Sequence, residues 1–154
     1  CRECFVPELY KSYDPYAPEA DRAIRHCAAY VKIHDGPLLG VCHGCKGSKF
    51  MDVEVPISAL GRNREFHAYY HTGRQPVRFS EPGSHQLWAY YTNGQASYLI
   101  VLNDTDSPVR QRVTVDGLRT KGRELIDKDE YDFTSGSCDI ELGTRGAKFI
   151  GFKL

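Results

Sequence analysis

Two β-rich runs separated by Asn-Gly constrain this chain more than any other feature. Gln86-Leu-Trp-Ala-Tyr-Tyr-Thr92 and Gln95-Ala-Ser-Tyr-Leu-Ile-Val-Leu102 flank Asn93-Gly94. A type I′ turn needs positive φ at both central positions, and Asn-Gly supplies that with least strain. The pair therefore predicts a hairpin, and with it an antiparallel β scaffold. Short strand-like runs continue beyond it. Val109, Gln111, Val113 and Val115 alternate with Arg110, Arg112, Thr114 and Asp116, so the first set faces inward and the second faces water. Glu124-Leu-Ile, Tyr131-Asp-Phe, Cys138 to Leu142 and Ala147 to Leu154 follow, punctuated by Gly117, Gly122 and Gly143. Strands at this spacing predict a sandwich or barrel.

The front of the chain reads differently. Pro18 suits a first helical turn, and Glu19 and Asp21 suit the positive end of a helix dipole. Ala23, Ile24, Cys27, Ala28 and Val31 make one apolar stripe at three- and four-residue spacing, and Gly36-Pro37 ends it. Phe50 to Val55 and Glu65 to His71 read as strands, with Gly47 onward as turn and strand. The expected fold is mainly β. A Cys-containing leader over 1–49, with one helix over 18–34, precedes an antiparallel β-sandwich over 50–154.

A chain of 154 residues has the length of one domain with a sizeable core. Twenty basic residues balance twenty acidic ones, so the basic surplus expected of a nucleic-acid binder is missing. Zero net charge also weakens repulsion between copies, which favours a homo-oligomer. No run approaches the roughly 20 apolar residues of a membrane-spanning helix. The chain opens on Cys1 and its single methionine is Met51, which predicts a processed product or fragment, with a lipidated Cys1 as an alternative. Asn103-Asp104-Thr105 is a glycosylation acceptor triplet. With an even count of six cysteines, it points to a secreted or extracellular protein.

Cys1-Arg-Glu-Cys4 and Cys42-His-Gly-Cys45 are the sharpest local motifs. Two readings compete. Disulfides account for all six cysteines, with the two motifs crosslinked and Cys27 tied to Cys138. Zinc held by Cys1, Cys4, Cys42 and Cys45 is the alternative, because each C-x-x-C sets two thiolates on one tight turn. That reading leaves Cys27 and Cys138 unexplained. Otherwise no cofactor is expected. A thioredoxin-like role for Cys42 and Cys45 needs a helix N-terminus, and the residues after Gly47 do not read as one.

The order of features from Gln86 onward resembles the C-terminal β-sandwich that follows the catalytic barrel in many glycoside hydrolases. The residues that carry the likeness are the aromatic strand Leu87-Trp-Ala-Tyr-Tyr91, then Leu99-Ile-Val-Leu-Asn103, then Val113-Thr-Val-Asp-Gly117. They continue with the acidic corner Glu124-Leu-Ile-Asp127 and the terminal strand from Gly143 to Leu154. The resemblance covers under half of the chain. It implies a non-catalytic module that packs on a barrel, contacts sugar or mediates assembly, and it carries over no catalytic carboxylate.

Ten Tyr, seven Phe and one Trp are many for this length, and several fall in neighbouring predicted strands. Tyr69, Trp88, Tyr90 and Tyr91 are therefore candidates for carbohydrate or partner contact, since such rings combine apolar area with a polar tip. At even spacing His67, Tyr69 and His71 share one strand face and are candidate metal ligands or sugar contacts. Tyr10, Tyr13 and Tyr16 recur in the leader. No phosphate-binding glycine loop is present. The function expected is a non-catalytic extracellular β-sandwich module for carbohydrate or protein contact. One alternative is a self-assembling extracellular subunit stabilised by disulfides. Another is a zinc-binding domain or metal-dependent enzyme.

Overall fold

The computed structural model describes residues 18–38, 47–81 and 86–154. Among these residues two helices, α1 (Pro18–Ile33) and α2 (Gly47–Ser58), precede nine strands. These are β1 (Glu65–Ala68), β2 (Val77–Phe79), β3 (Gln86–Thr92), β4 (Ala96–Asn103), β5 (Val109–Val115), β6 (Lys121–Glu124), β7 (Glu130–Asp132), β8 (Ser137–Leu142) and β9 (Ala147–Lys153). A six-stranded sheet runs β1-β3-β4-β9-β6-β7 and a three-stranded sheet runs β2-β5-β8. Every pairing is antiparallel. The mainly β, antiparallel sandwich expected from the sequence is the observed fold.

Strand alternation sorts the core into two slabs. Trp88, Tyr90, Leu99, Val101, Ile150 and Phe152 point from the large sheet toward Val113, Val115, Ile140 and Leu142 of the small one. The intervening residues Leu87, Ala89, Tyr91, Ile100, Leu102 and Phe149 point the other way, against Ala28, Ala29 and Ile33 of α1 and Val53 and Ile57 of α2. The large sheet is thus covered on both faces. That is why β3 and β4 read as near-continuous apolar runs while β5, on the small outer sheet, alternates.

The central hairpin forms, with Gln86 to Thr92 paired against Asn103 to Ser97. Its turn is displaced by one residue from the expected one. Asn93 N–H donates to the Ala96 carbonyl, so Gly94 and Gln95 are the central residues. Among them only Gly94 has positive φ, at 83°. This matches a type II′ requirement, glycine first, and not type I′. The Asn93 side chain takes another role: its Oδ1 accepts from the N–H groups of Gln95 and Ala96 at 3.0 Å each.

Two other expectations are corrected. The segment read as a strand at Phe50 to Val55 lies within α2. Val53 and Ile57, one turn apart, are buried with Leu60, while Met51 and Val55 are exposed, so helical spacing governs burial here. Gly61, at φ 83°, donates to the Ser58 carbonyl and closes the helix end. The strand read over Glu65 to His71 stops at Ala68, where the chain turns and His71 N–H donates to the Ala68 carbonyl. A third feature explains a glycine: a Cβ on Gly122 of β6 would sit 2.3 Å from the Phe152 ring, so only glycine lets that ring close the sandwich.

Candidate functional site

The turn after β1 builds an aromatic surface. Tyr69 N–H donates to the Trp88 carbonyl, which keeps the turn on the sheet. The Gln75 side-chain amide donates to the His71 carbonyl and braces it from behind. The ring of Tyr70 stacks on His34, just past α1, with centroids 5.3 Å apart and planes inclined 21°. Tyr69 and His71 meet Tyr70 edge-on at 5.1 and 4.8 Å. Tyr30, one helical turn before His34, extends the row at 5.3 Å. The row is anchored inward, because His71 packs on Phe66 at 5.2 Å and Phe66 packs on buried Tyr91 at 4.9 Å. Tyr30, Tyr69 and Tyr70 are 50%, 38% and 44% exposed, so the rings that form the surface are open to solvent.

The structure places the predicted contact residues in different layers. Tyr69 lies on this surface. Trp88 and Tyr90 are buried between the sheets, and Tyr91 is buried beneath the helices, so these three serve as core and present no contact face. Burial raises the pKa of both the Tyr90 and Tyr91 hydroxyls, and the Tyr91 hydroxyl donates to the Lys32 carbonyl at 2.5 Å. His67, Tyr69 and His71 do not share a strand face, because β1 ends between them. Among the described residues no group of three or more His, Cys, Asp or Glu is arranged to hold a metal ion. Tyr30 and His34 were not singled out from the sequence. Their signal is an aromatic pair at i, i+4 that flanks the apolar stripe of α1 and ends one residue beyond the helix.

Cys27 and Cys138 are free thiols, and their pairing with one another does not form. Cys27 sits on α1, on one side of the large sheet, and Cys138 packs with the core on its other side. Burial pushes both thiols above their ordinary pKa, which makes each a poor thiolate at neutral pH. Cys1, Cys4, Cys42 and Cys45, together with the disulfide and zinc readings built on them, lie outside the described residues. So do Tyr10, Tyr13 and Tyr16.

Asn103, read as a glycan acceptor, is 2% exposed at the end of β4. Its Nδ2 donates to the carbonyls of Ser107 and Gly143 at 2.8 and 2.9 Å. Its Oδ1 accepts from Thr105 N–H and Thr105 Oγ1 at 3.1 and 2.7 Å. In the folded state the nitrogen that would carry a sugar is fully engaged in locking two loops together. Asn103→Ala is expected to destabilise the fold by about 1–2 kcal/mol, because the buried amide that ties the Ser107 and Gly143 carbonyls to Thr105 is lost. Asn103→Asp should not rescue it, since it sets carboxylate oxygen against those carbonyls. Urea denaturation of both variants checks this.

A second surface feature is a groove of about 400 Å³ lined by α1 and the β8–β9 connection. Arg25 spans it, bonded to Asp21 at 2.9 Å and to Asp127 at 2.5 and 2.9 Å. Lys148 reaches Asp127 and Asp129. Burial works to raise the Asp127 carboxyl, but bonds from Arg25 and Lys148 outweigh it and hold the group below the usual carboxylate range. These charges pair with one another and fasten α1 to the sheet.

No family model matches the chain, and no curated protein matches it. Solved structures do. A maltogenic α-amylase from Thermotoga neapolitana is similar with a TM-score of 0.55 and 11% identity, over 86% of this chain and 37% of that one. A protein from Bacteroides fragilis described as an α-galactosidase/melibiase gives 0.52 and 16%, over 84% and 28%. An α-amylase from Anoxybacillus gives 0.51 and 16%, over 70% and 21%. The likeness is one of fold: the chain is similar to parts of these glycoside hydrolase chains, consistent with a β-sandwich domain. It spans well under half the length of each of these chains. No helix among the described residues is long and apolar enough to cross a membrane.

Proposed function

We propose that this chain is a non-catalytic, extracellular β-sandwich module that contacts carbohydrate or protein. The observation that carries the reading is the fold likeness to parts of glycoside hydrolase chains, joined here to a solvent-facing aromatic row. Such rings offer flat apolar faces for stacking and hydroxyls at their rims for hydrogen bonds, a combination suited to contact. Fold alone assigns no chemistry. Arg25, Asp127 and Lys148 of the groove are engaged with one another in fastening α1, which supports contact over turnover.

The test is affinity electrophoresis of the whole chain through gels containing soluble starch, xylan, mannan, galactan or mixed-linkage glucan, beside an assay for released reducing ends. Retardation in at least one polysaccharide, with no release of reducing ends, is the expected result. Unchanged mobility in all of them removes carbohydrate from the reading, and steady hydrolysis removes the non-catalytic role.

A further inference from the structure

We propose that Asn93 is a site of spontaneous modification in the folded chain, losing ammonia to become aspartyl and isoaspartyl, and that the change unties α2 from the central hairpin. Three asparagines occur in the sequence, Asn63, Asn93 and Asn103. Their surroundings differ. Asn103 is buried, with both ends of its amide engaged. Asn63 is exposed, but the residue after it is Arg64, whose side chain crowds the backbone nitrogen that would have to attack. Asn93 is exposed and is followed by Gly94, where even an added Cβ would meet nothing within 4 Å. The turn is therefore open to base and water.

The step needs water and no other reactant. The Gly94 nitrogen gives its proton to solvent base and attacks Cγ of Asn93. The Cγ–Nδ2 bond breaks, Nδ2 takes up a proton and leaves as ammonia, and a cyclic imide remains. Water then opens the imide. Addition at Cγ gives aspartate; addition at the backbone carbonyl gives isoaspartate, whose main chain runs through Cγ. The turn prepares this attack. As Cγ becomes tetrahedral, negative charge collects on Oδ1, and the N–H groups of Gln95 and Ala96 already point at that atom from 3.0 Å each. Fixed donors aimed where charge develops lower a barrier of this kind. The Gly94 N–H that must be lost is held by the Thr92 hydroxyl at 3.2 Å and not by a ladder carbonyl.

The leaving group is also a strut. Asn93 Nδ2 donates to the Leu60 carbonyl at 3.4 Å, which joins the hairpin to the residues just after α2. Neither product keeps that donor, and in aspartate a carboxylate oxygen takes its place. The helix it braces carries Val53 and Ile57 into the slab beneath the large sheet.

The test is incubation of the whole chain at mildly alkaline pH beside a capped peptide of residues 90–97. Peptide mapping by mass spectrometry follows each asparagine, and hydrogen exchange follows the α2 amides. Asn93 is expected to convert at least as fast as in the peptide, and more than about tenfold faster than Asn63 or Asn103. Exchange in α2 is expected to quicken in the converted chain and in Asn93→Asp. Asn93 left intact while the peptide is converted overturns the site, as do equal rates at all three asparagines. Exchange in α2 that matches the parent, both in the converted chain and in Asn93→Asp, overturns the tie to the helix.

Discussion

Glu124→Ala is expected to lower the unfolding free energy by about 3–5 kcal/mol, with a fall in melting temperature of about 6–15 °C. The carboxylate is wholly buried at the end of β6. One oxygen accepts the Ile126 N–H at 2.6 Å and the Asp127 N–H, and the other accepts the Phe149 N–H at 3.2 Å. The corner between β6 and β7 is thereby wound around one side chain, with Glu124 N–H donating to the Asp129 carbonyl across its base. Truncation removes the acceptor of three donors, one of them buried at Phe149 and two part-buried at Ile126 and Asp127, and an unsatisfied buried donor costs about 1–3 kcal/mol. Glu124→Gln should fall between the parent and the alanine variant. Its carbonyl oxygen can serve Ile126 and Asp127, while its NH₂ then faces the Phe149 N–H. An alanine variant within 1 kcal/mol of the parent in urea denaturation would refute this account.

Lys32→Ala is the second large effect, at about 3 kcal/mol. Lys32 is 2% exposed at the end of α1. Its ammonium bonds Glu54 of α2 and the Gly36 carbonyl, each at 3.0 Å, and lies 5.6 Å from the centre of the Tyr91 ring. Glu54 also accepts from Leu38 N–H at 2.9 Å and Ser58 Oγ at 2.6 Å. Removing the cation strands a carboxylate in a poorly hydrated place, which is where the loss comes from. A Lys32→Met/Glu54→Gln double variant should recover part of it, and a double-mutant cycle measures the coupling. The pair also sets an acid limit. Burial works to raise the Glu54 carboxyl, but the bonds from Ser58, Leu38 and Lys32 outweigh it and leave the group below its ordinary value. A depressed carboxyl stabilises the fold above its unfolded pKa of about 4.3, and that contribution is lost as pH falls through the folded value. Stability should hold between about pH 5 and 6 and decline below about pH 4.5, less steeply in Glu54→Gln.

The β architecture was legible because hairpin and alternation are local signals. Asn93-Gly94 marked the reversal, and Val109 to Asp116 showed its two faces directly. The helix α2 was not legible for a physical reason. Phe50-Met-Asp-Val-Glu-Val55 alternates like a strand, carries two β-branched residues and runs into Pro56, all of which argue against a helix. Packing reverses that preference: Val53, Ile57 and Leu60 enter the slab beneath the sheet, and Glu54 meets Lys32. The contact site was half legible. Choosing aromatic strand residues led to Trp88, Tyr90 and Tyr91, which the two covered faces of the sheet take into the core. A nearly unbroken apolar run, Leu99 to Leu102 on the neighbouring strand, was the available warning.

The double coating of the large sheet has a last consequence. Ala89, Tyr91, Ile100, Leu102 and Phe149 are hidden only because helices from the front of the chain lie across them. A shortened version beginning after Leu60 would bare that greasy slab, and contiguous bare surface of this kind drives clumping. Anyone trimming the protein to its strands alone should expect inclusion bodies instead of a tidy soluble fragment.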